Sequence, residues 1–224
     1  MVDIIEAVKG RKSIRGYRPD PVPKEIIEEI LRSATKSPSA MNTQPWEFTV
    51  ITGEVIENIR RENVESLLSG TAPSSDFALE SFGGIYKQRQ VNLAVELFKL
   101  MGIAREDTVK RSEWMQRGFR YFDAPAAIIV SVDKSVNGSF WIFDLGAVSQ
   151  TVCLAALKYG LGTCIEAQGV MFPEVIRKYT GIPESKKIIM SIALGYPDEN
   201  FPTNKLESAR VPVENITAWH GFKG

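Results

Sequence analysis

Residues 139–160 read as a helix that is apolar on almost every side, and this stretch limits the folds open to the chain. Phe140, Ile142, Leu145, Ala147, Val148, Val152, Leu154, Ala155 and Leu157 leave no broad polar face for water. Such a helix belongs inside a layered core or between two subunits. Gly146, Ala147 and Ser149 permit close approach, which favours a subunit interface. The longest apolar run, about 145–157, is broken by Ser149 and Gln150 and is too short to cross a bilayer.

A core helix needs a sheet to lie on, and three strands are legible. Residues 126–132 read as a buried strand, 187–194 as a second, and 46–52 as a third rich in β-branched and aromatic side chains. Helices are predicted at 3–9, closed by Gly10, and after Pro23, where Ile26, Ile27, Ile30, Leu31 and Ala34 share one face. A short helix is expected over 173–179. Between the first two strands, 54–69, 88–102 and 106–120 have helical periodicity, with a turn at 81–84. This excursion over about 54–120 is either a lid over a site or an oligomer contact. Its aromatic residues, among them Tyr121 and Phe122, read as packing. The tail over about 198–224 is extended and proline-rich, yet carries Ile216, Trp219 and Phe222, so it is expected to wrap its own body or a partner. The chain reads as one domain.

Composition removes several functions. The 27 basic residues balance 27 acidic ones, so the charge excess of a dedicated nucleic-acid binder is missing. Asp3 and Glu6 interrupt the start of the chain, which argues against a signal peptide, and the chain is expected to be cytoplasmic. With one histidine, His220, and two cysteines, Cys153 and Cys164, in apolar surroundings, histidine triads and multi-histidine or zinc-type metal sites are hard to build. Gly160-Leu161-Gly162 follows a helix and precedes a strand, the reverse of a dinucleotide-binding turn.

What remains is anion chemistry. Arg11, Lys12, Ser13 and Arg15 fall within five residues after the first helix. Forked guanidinium donors with a hydroxyl suit a phosphate monoester, although a solvated turn has the same composition. Arg210, near the other end of the chain, lies in a loop that looks built to fold back. A second loop, with Pro38, Ser39, Ala40, Asn42 and Gln44, offers amides suited to the polar edge of a heterocycle, or is simply a helix-to-strand turn. Backbone N–H groups at 165–169 could meet a ligand where a strand ends.

Taken in order, the Arg-x-Ser-x-Arg loop, Pro38-Ser39-Ala40-x-Asn42-x-Gln44-Pro45-Trp46, Gly160-Leu161-Gly162-Thr163-Cys164, Ile-Ala-Leu-Gly-Tyr-Pro and Ser-x-Arg-x-Pro resemble the FMN-dependent nitroreductase family, within it the nitrobenzoate reductase branch. The resemblance implies an α+β fold, an α/β/α sandwich around a mixed four- to five-stranded sheet, and an intertwined homodimer with FMN at the interface. It implies that Arg11, Lys12, Ser13, Ser208 and Arg210 hold the phosphate and ribityl chain, with Arg15 beside the flavin ring. Pro38, Ser39, Ala40, Asn42 and Gln44 would approach that ring from the other subunit. Backbone of Glu166, Ala167 and Gln168 would lie near N5, and Arg117 or Arg120 would match ring-edge contacts. The family's basic residue before the late arginine is replaced by Ser208, for which Lys205 is a candidate substitute. The implied activity is ping-pong reduction of nitroaromatics or quinones by NADH or NADPH, with no side-chain nucleophile. Two alternatives stay open: a reductive dehalogenase using Glu80, Tyr86 and Lys87, and a flavin-binding redox sensor without turnover.

Overall fold

The computed structural model describes residues 3–77 and 81–222; Glu80 lies outside them. The elements run α1 (Ile4–Gly10), α2 (Lys24–Ala34), β1 (Trp46–Thr52), α3 (Gly53–Leu68), α4 (Gly84–Leu100), α5 (Thr108–Phe119), β2 (Ala126–Asp133), α6 (Phe140–Leu157), β3 (Gly162–Glu166), α7 (Pro173–Thr180) and β4 (Lys186–Gly195).

Four strands form one sheet in the order β1-β2-β4-β3. Every neighbouring pair is antiparallel, with Trp46 opposite Val132, Ile128 opposite Ile192 and Cys164 opposite Ala193. The parallel component expected of a mixed sheet is confined to one bridge between Ser13 and Thr163, and no fifth strand joins among the described residues. β2 and β3, joined through α6, run in the same direction, but β4 lies between them and pairs antiparallel with both.

Alternation along β2 decides the layers. Ala126, Ile128, Val130 and Val132 face α2 and α6, whereas Ala127 and Ile129 face α3, α7 and the turn at 121–124. Helices therefore cover both faces, as the α/β/α sandwich requires. α6 is 18 residues long with mean hydropathy 1.6, apolar and long enough to cross a membrane on those criteria alone. One face instead packs on α2 and the sheet through Leu145, Val148, Val152 and Ala156. Its outer face leaves Phe140 and Phe143 70% and 75% exposed.

Within 54–120, α3 is a true layer helix, burying Ile56 and Ile59. α4 is different, burying only Leu97 while Ile85, Tyr86, Val91 and Val95 stay exposed. The segment leading to it is clipped to the body. Asp76 accepts from Arg177 at 2.5 Å and from the Ile188 N–H at 2.8 Å, and the Ser74 N–H reaches the Met171 carbonyl at 3.1 Å.

Candidate active site

The basic loop is sewn to the outer edge of β3 and to the start of the tail. The Ile14 N–H donates to the Thr163 carbonyl at 2.9 Å, and the Arg15 N–H to Asn204 Oδ1 at 2.8 Å. Asn204 Nδ2 returns to the Gly16 carbonyl at 2.7 Å, and the Asp198 N–H reaches the same oxygen at 3.0 Å. Glycine is needed where chains cross. A Cβ on Gly16 would stand 2.0 Å from Phe201 Cγ, and one on Gly162 would stand 2.5 Å from Ile14 Cγ1.

This stitching turns Arg11 and Lys12 toward a cavity of about 730 Å³ that Ser208 and Arg210 close from the tail, with Gln150 and Glu207 on its walls. Arg210 Nη1 donates to Ser208 Oγ at 2.6 Å and to the Ser208 carbonyl at 2.8 Å, so the two residues move as a unit. Among the described residues no carboxylate lies within 4.0 Å of the side-chain nitrogens of Arg11, Lys12, Arg15 or Arg210. Three uncompensated cations and a hydroxyl around one hollow fit a phosphate dianion. Lys205 lines an adjoining cavity of about 390 Å³ together with Arg11, Lys12, Gly162 and Pro197.

Arg15 is half-buried, its guanidinium 5.8 Å from the ring centre of Phe122. That ring is set by an uncommon turn: Tyr121, Phe122 and Asp123 take φ of 55°, 54° and 60° in succession. Residues with a Cβ resist this region, so the surroundings must impose it. The Tyr121 hydroxyl donates to the Gly169 carbonyl at 2.9 Å, Arg60 Nε donates to the Arg120 carbonyl at 3.0 Å, and Arg60 Nη2 also donates to the Ala124 carbonyl. No sequence signal marks the turn, since large aromatics are poor formers of left-handed backbone.

Arg117 and Arg120, expected at the ring edge, both engage the turn at 121–123. Arg117 pairs with Asp123 at 2.8 Å, donates to the carbonyls of Arg15 and Phe122 at 3.1 and 3.2 Å, and lies over the ring of Phe201. Arg120 pairs with Asp123 at 2.7 Å. Both are framework for the turn: the pull of one shared carboxylate and the adjacent carbonyls fixes them.

Glu166 ends β3 with its carboxylate turned inward. It accepts from the Gly169 N–H at 2.8 Å and from the Ser191 hydroxyl, and burial pushes its carboxyl up to about 7. Only the backbone of this segment is free to meet a ligand. The Ala167 N–H has no acceptor among the described residues. The Gln168 side chain packs on Gly118, where a Cβ would come within 2.0 Å of its Oε1.

The loop at 38–44 is shaped but stands apart. Met41, Asn42 and Gln44 have φ of 50°, 58° and 46°, Ser39 Oγ accepts from the Gln44 N–H at 3.0 Å, and the Ala40 N–H donates to Asp144 on α6 at 3.1 Å. Pro38, Ser39, Ala40, Asn42 and Gln44 line no part of the cavity holding Arg11 and Arg210. Within one chain the structure brings together Arg11, Lys12, Ser208 and Arg210. Ser13 and Arg15 follow on the same loop, and the 38–44 amides are left facing outward. Cys153 and Cys164 are buried free thiols, both raised by desolvation and unsuited to act as nucleophiles.

Together these features define an α+β sandwich protein with a cationic cleft built from both ends of one polypeptide. The chain belongs to the nitroreductase family, whose sequence model matches residues 8–196. It is 31% identical to the nitrobenzene nitroreductase of Ectopseudomonas oleovorans over 96% of each chain, and 30% identical to the 4-nitrobenzoate reductase of Pseudomonas putida over 98% of this chain and 96% of that one. The crystal structure of the FMN-dependent nitroreductase NfnB from Mycobacterium smegmatis in complex with NADPH superposes with a TM-score of 0.91 at 26% identity, covering 97% of both chains. The chain is an oxidoreductase of the nitroreductase type.

Proposed function

We propose that this protein is an FMN-dependent NAD(P)H nitroreductase that reduces nitroaromatic and quinone-type acceptors by a ping-pong route. The observation that carries the reading is the convergence of Arg11, Lys12 and Arg210 on one cavity, none of them ion-paired with a carboxylate among the described residues. The printed activities of the relatives, nitrobenzene and 4-nitrobenzoate reduction, supply the substrate class.

Arg11, Lys12, Ser13, Ser208 and Arg210 would hold the phosphate, and the backbone at Glu166, Ala167 and Gln168 would face the ring. Bound FMN supplies the two-electron chemistry, in half-reactions separated by exchange of nicotinamide for oxidant. The chain's own part is to orient the partners and exclude water. Arg15, steadied over Phe122, favours negative charge developing nearby. No side chain acts as a nucleophile.

The site is completed in a cytoplasmic homodimer. Ile216, Trp219 and Phe222, 70%, 66% and 75% exposed, and the outer face of α6 are the surfaces a second copy would cover. The 38–44 loop would then serve the partner's site.

The test is direct. Purified protein incubated with excess FMN and desalted should be yellow. It should oxidise NADH or NADPH faster with 4-nitrobenzoate present, with parallel double-reciprocal plots. Colourless protein, or intersecting plots, would overturn the reading or its ping-pong part respectively.

A further inference from the structure

The loop from Glu166 to Val170 is held from inside by one carboxylate. Glu166 Oε2 takes the Gly169 N–H at 2.8 Å, and Oε1 takes the hydroxyl of Ser191, the residue opposite it on β4. Gly169 has no room for a side chain: a Cβ would stand 2.6 Å from Glu166 Oε1 and 2.3 Å from Tyr121 Cε1. The Gly169 carbonyl is gripped in turn by the Tyr121 hydroxyl at 2.9 Å and by Asn63 Nδ2 at 3.1 Å. Each of these contacts pulls the Gly169 side of the loop toward the core. The Ala167 N–H is left without an acceptor among the described residues, on a half-exposed residue.

We propose that Glu166 is a positioning residue whose carboxylate, by holding Gly169 and Ser191, sets the orientation of the Ala167–Gln168 backbone and thereby couples the redox poise of the bound flavin to its own protonation. This inference rests on the FMN reading above. The anion accepts from both donors; protonation weakens this hold, since a neutral carboxyl is a poorer acceptor for the Gly169 N–H and the Ser191 hydroxyl must turn toward the Glu166 carbonyl, 3.3 Å away, to receive its proton. The charge change falls in the neutral range, because burial raises the carboxyl to about 7 and the Ser191 and loop N–H donors only partly offset that. Groups facing it are Tyr121 from the turn before β2, Tyr17 from the basic loop and Cys164 from its own strand, all held neutral by burial. The cations among these neighbours are Arg15, which acts on Tyr17 and Cys164, and Arg60, which acts on Tyr121.

The experiment uses FMN-loaded protein and measures the flavin midpoint potential from mildly acidic to mildly alkaline pH in wild type, Glu166→Gln and Ser191→Ala. Wild type should show a bend near pH 7. Glu166→Gln should lose that bend while keeping its flavin spectrum, with FMN affinity about tenfold weaker, the size of one lost charge-assisted hydrogen bond. Ser191→Ala should move the bend to higher pH, because it removes a donor that favours the anion. A purely structural role would lower stability without moving the bend. The proposal falls if Glu166→Gln retains the bend, or if Ser191→Ala leaves it in place. Should Glu166→Gln fail to fold, Ser191→Ala alone decides. Colourless wild type would overturn both this inference and the FMN assignment, whereas a yellow wild type with no bend overturns this inference alone.

Discussion

Arg117 donates from Nη2 to the carbonyl oxygen of Arg15 at 3.1 Å, across 102 residues of sequence. The N–H of Arg15 is taken on its other side by Asn204. The backbone of Arg15 is thus held by residues from the excursion and the tail, and its guanidinium is left without a carboxylate for a ligand to meet.

Replacing Arg117 with leucine should therefore act through the framework. It leaves half-exposed Asp123 without this partner and two carbonyls without their donor. Urea unfolding should show a loss of roughly 2–3 kcal/mol. The NADH or NADPH reductase rate should fall with the fraction folded. A stable variant with normal FMN binding would contradict this role.

Arg210→Ala should do the opposite. Arg210 is exposed, and its hydrogen bonds reach only Ser208 and Ala209. Thermal stability of the flavin-free chain should stay within about 0.5 kcal/mol of wild type. FMN affinity, followed by flavin fluorescence, should fall about 10- to 100-fold, the range for one charge-assisted contact to an anion.

Gly16→Ala places a methyl 2.0 Å from Phe201 Cγ at the crossing of basic loop and tail. Overpacking there should cost about 1–3 kcal/mol. It should also raise protease sensitivity of the tail, read as earlier loss of the segment after Asp198 in limited digestion.

The Glu166 carboxyl is raised in the folded chain from about 4.5 to about 7, so the folded state binds more protons than the unfolded one between those values. Its contribution to stability is full below about pH 4.5 and is lost as pH rises through about 7. Wild-type stability should carry this downward slope, and Glu166→Gln should flatten it. Equal slopes in chemical denaturation across that window would refute the assignment.

The sandwich itself was legible because its signals are local. β2 has five apolar residues in a row before Ser131, α2 carries Ile27, Ile30 and Ala34 at helical spacing, and α6 has no broad polar face to leave outside. The cations that share the cavity were legible for another reason: Arg11, Lys12 and Arg210 are recognisable by charge and order along the chain. The same approach did not show what Arg117 holds, since a guanidinium in a sequence looks alike whether it meets a ligand or a carboxylate and two backbone carbonyls. It also passed over Tyr121 and Phe122 as ordinary packing, since their left-handed backbone is imposed by Arg60, Asn63 and Gly169 from other elements.

Sequence alone determined which segments become helix or strand, which faces are buried, and which cations are available for a phosphate, because periodicity and charge are properties of neighbouring residues. Tertiary structure decided which of those cations share a cavity, that Lys205 lines the adjoining one, and that Glu166 faces inward. Those outcomes depend on contacts between residues as much as 189 positions apart, such as Arg15 with Asn204, and no short-range pattern encodes them.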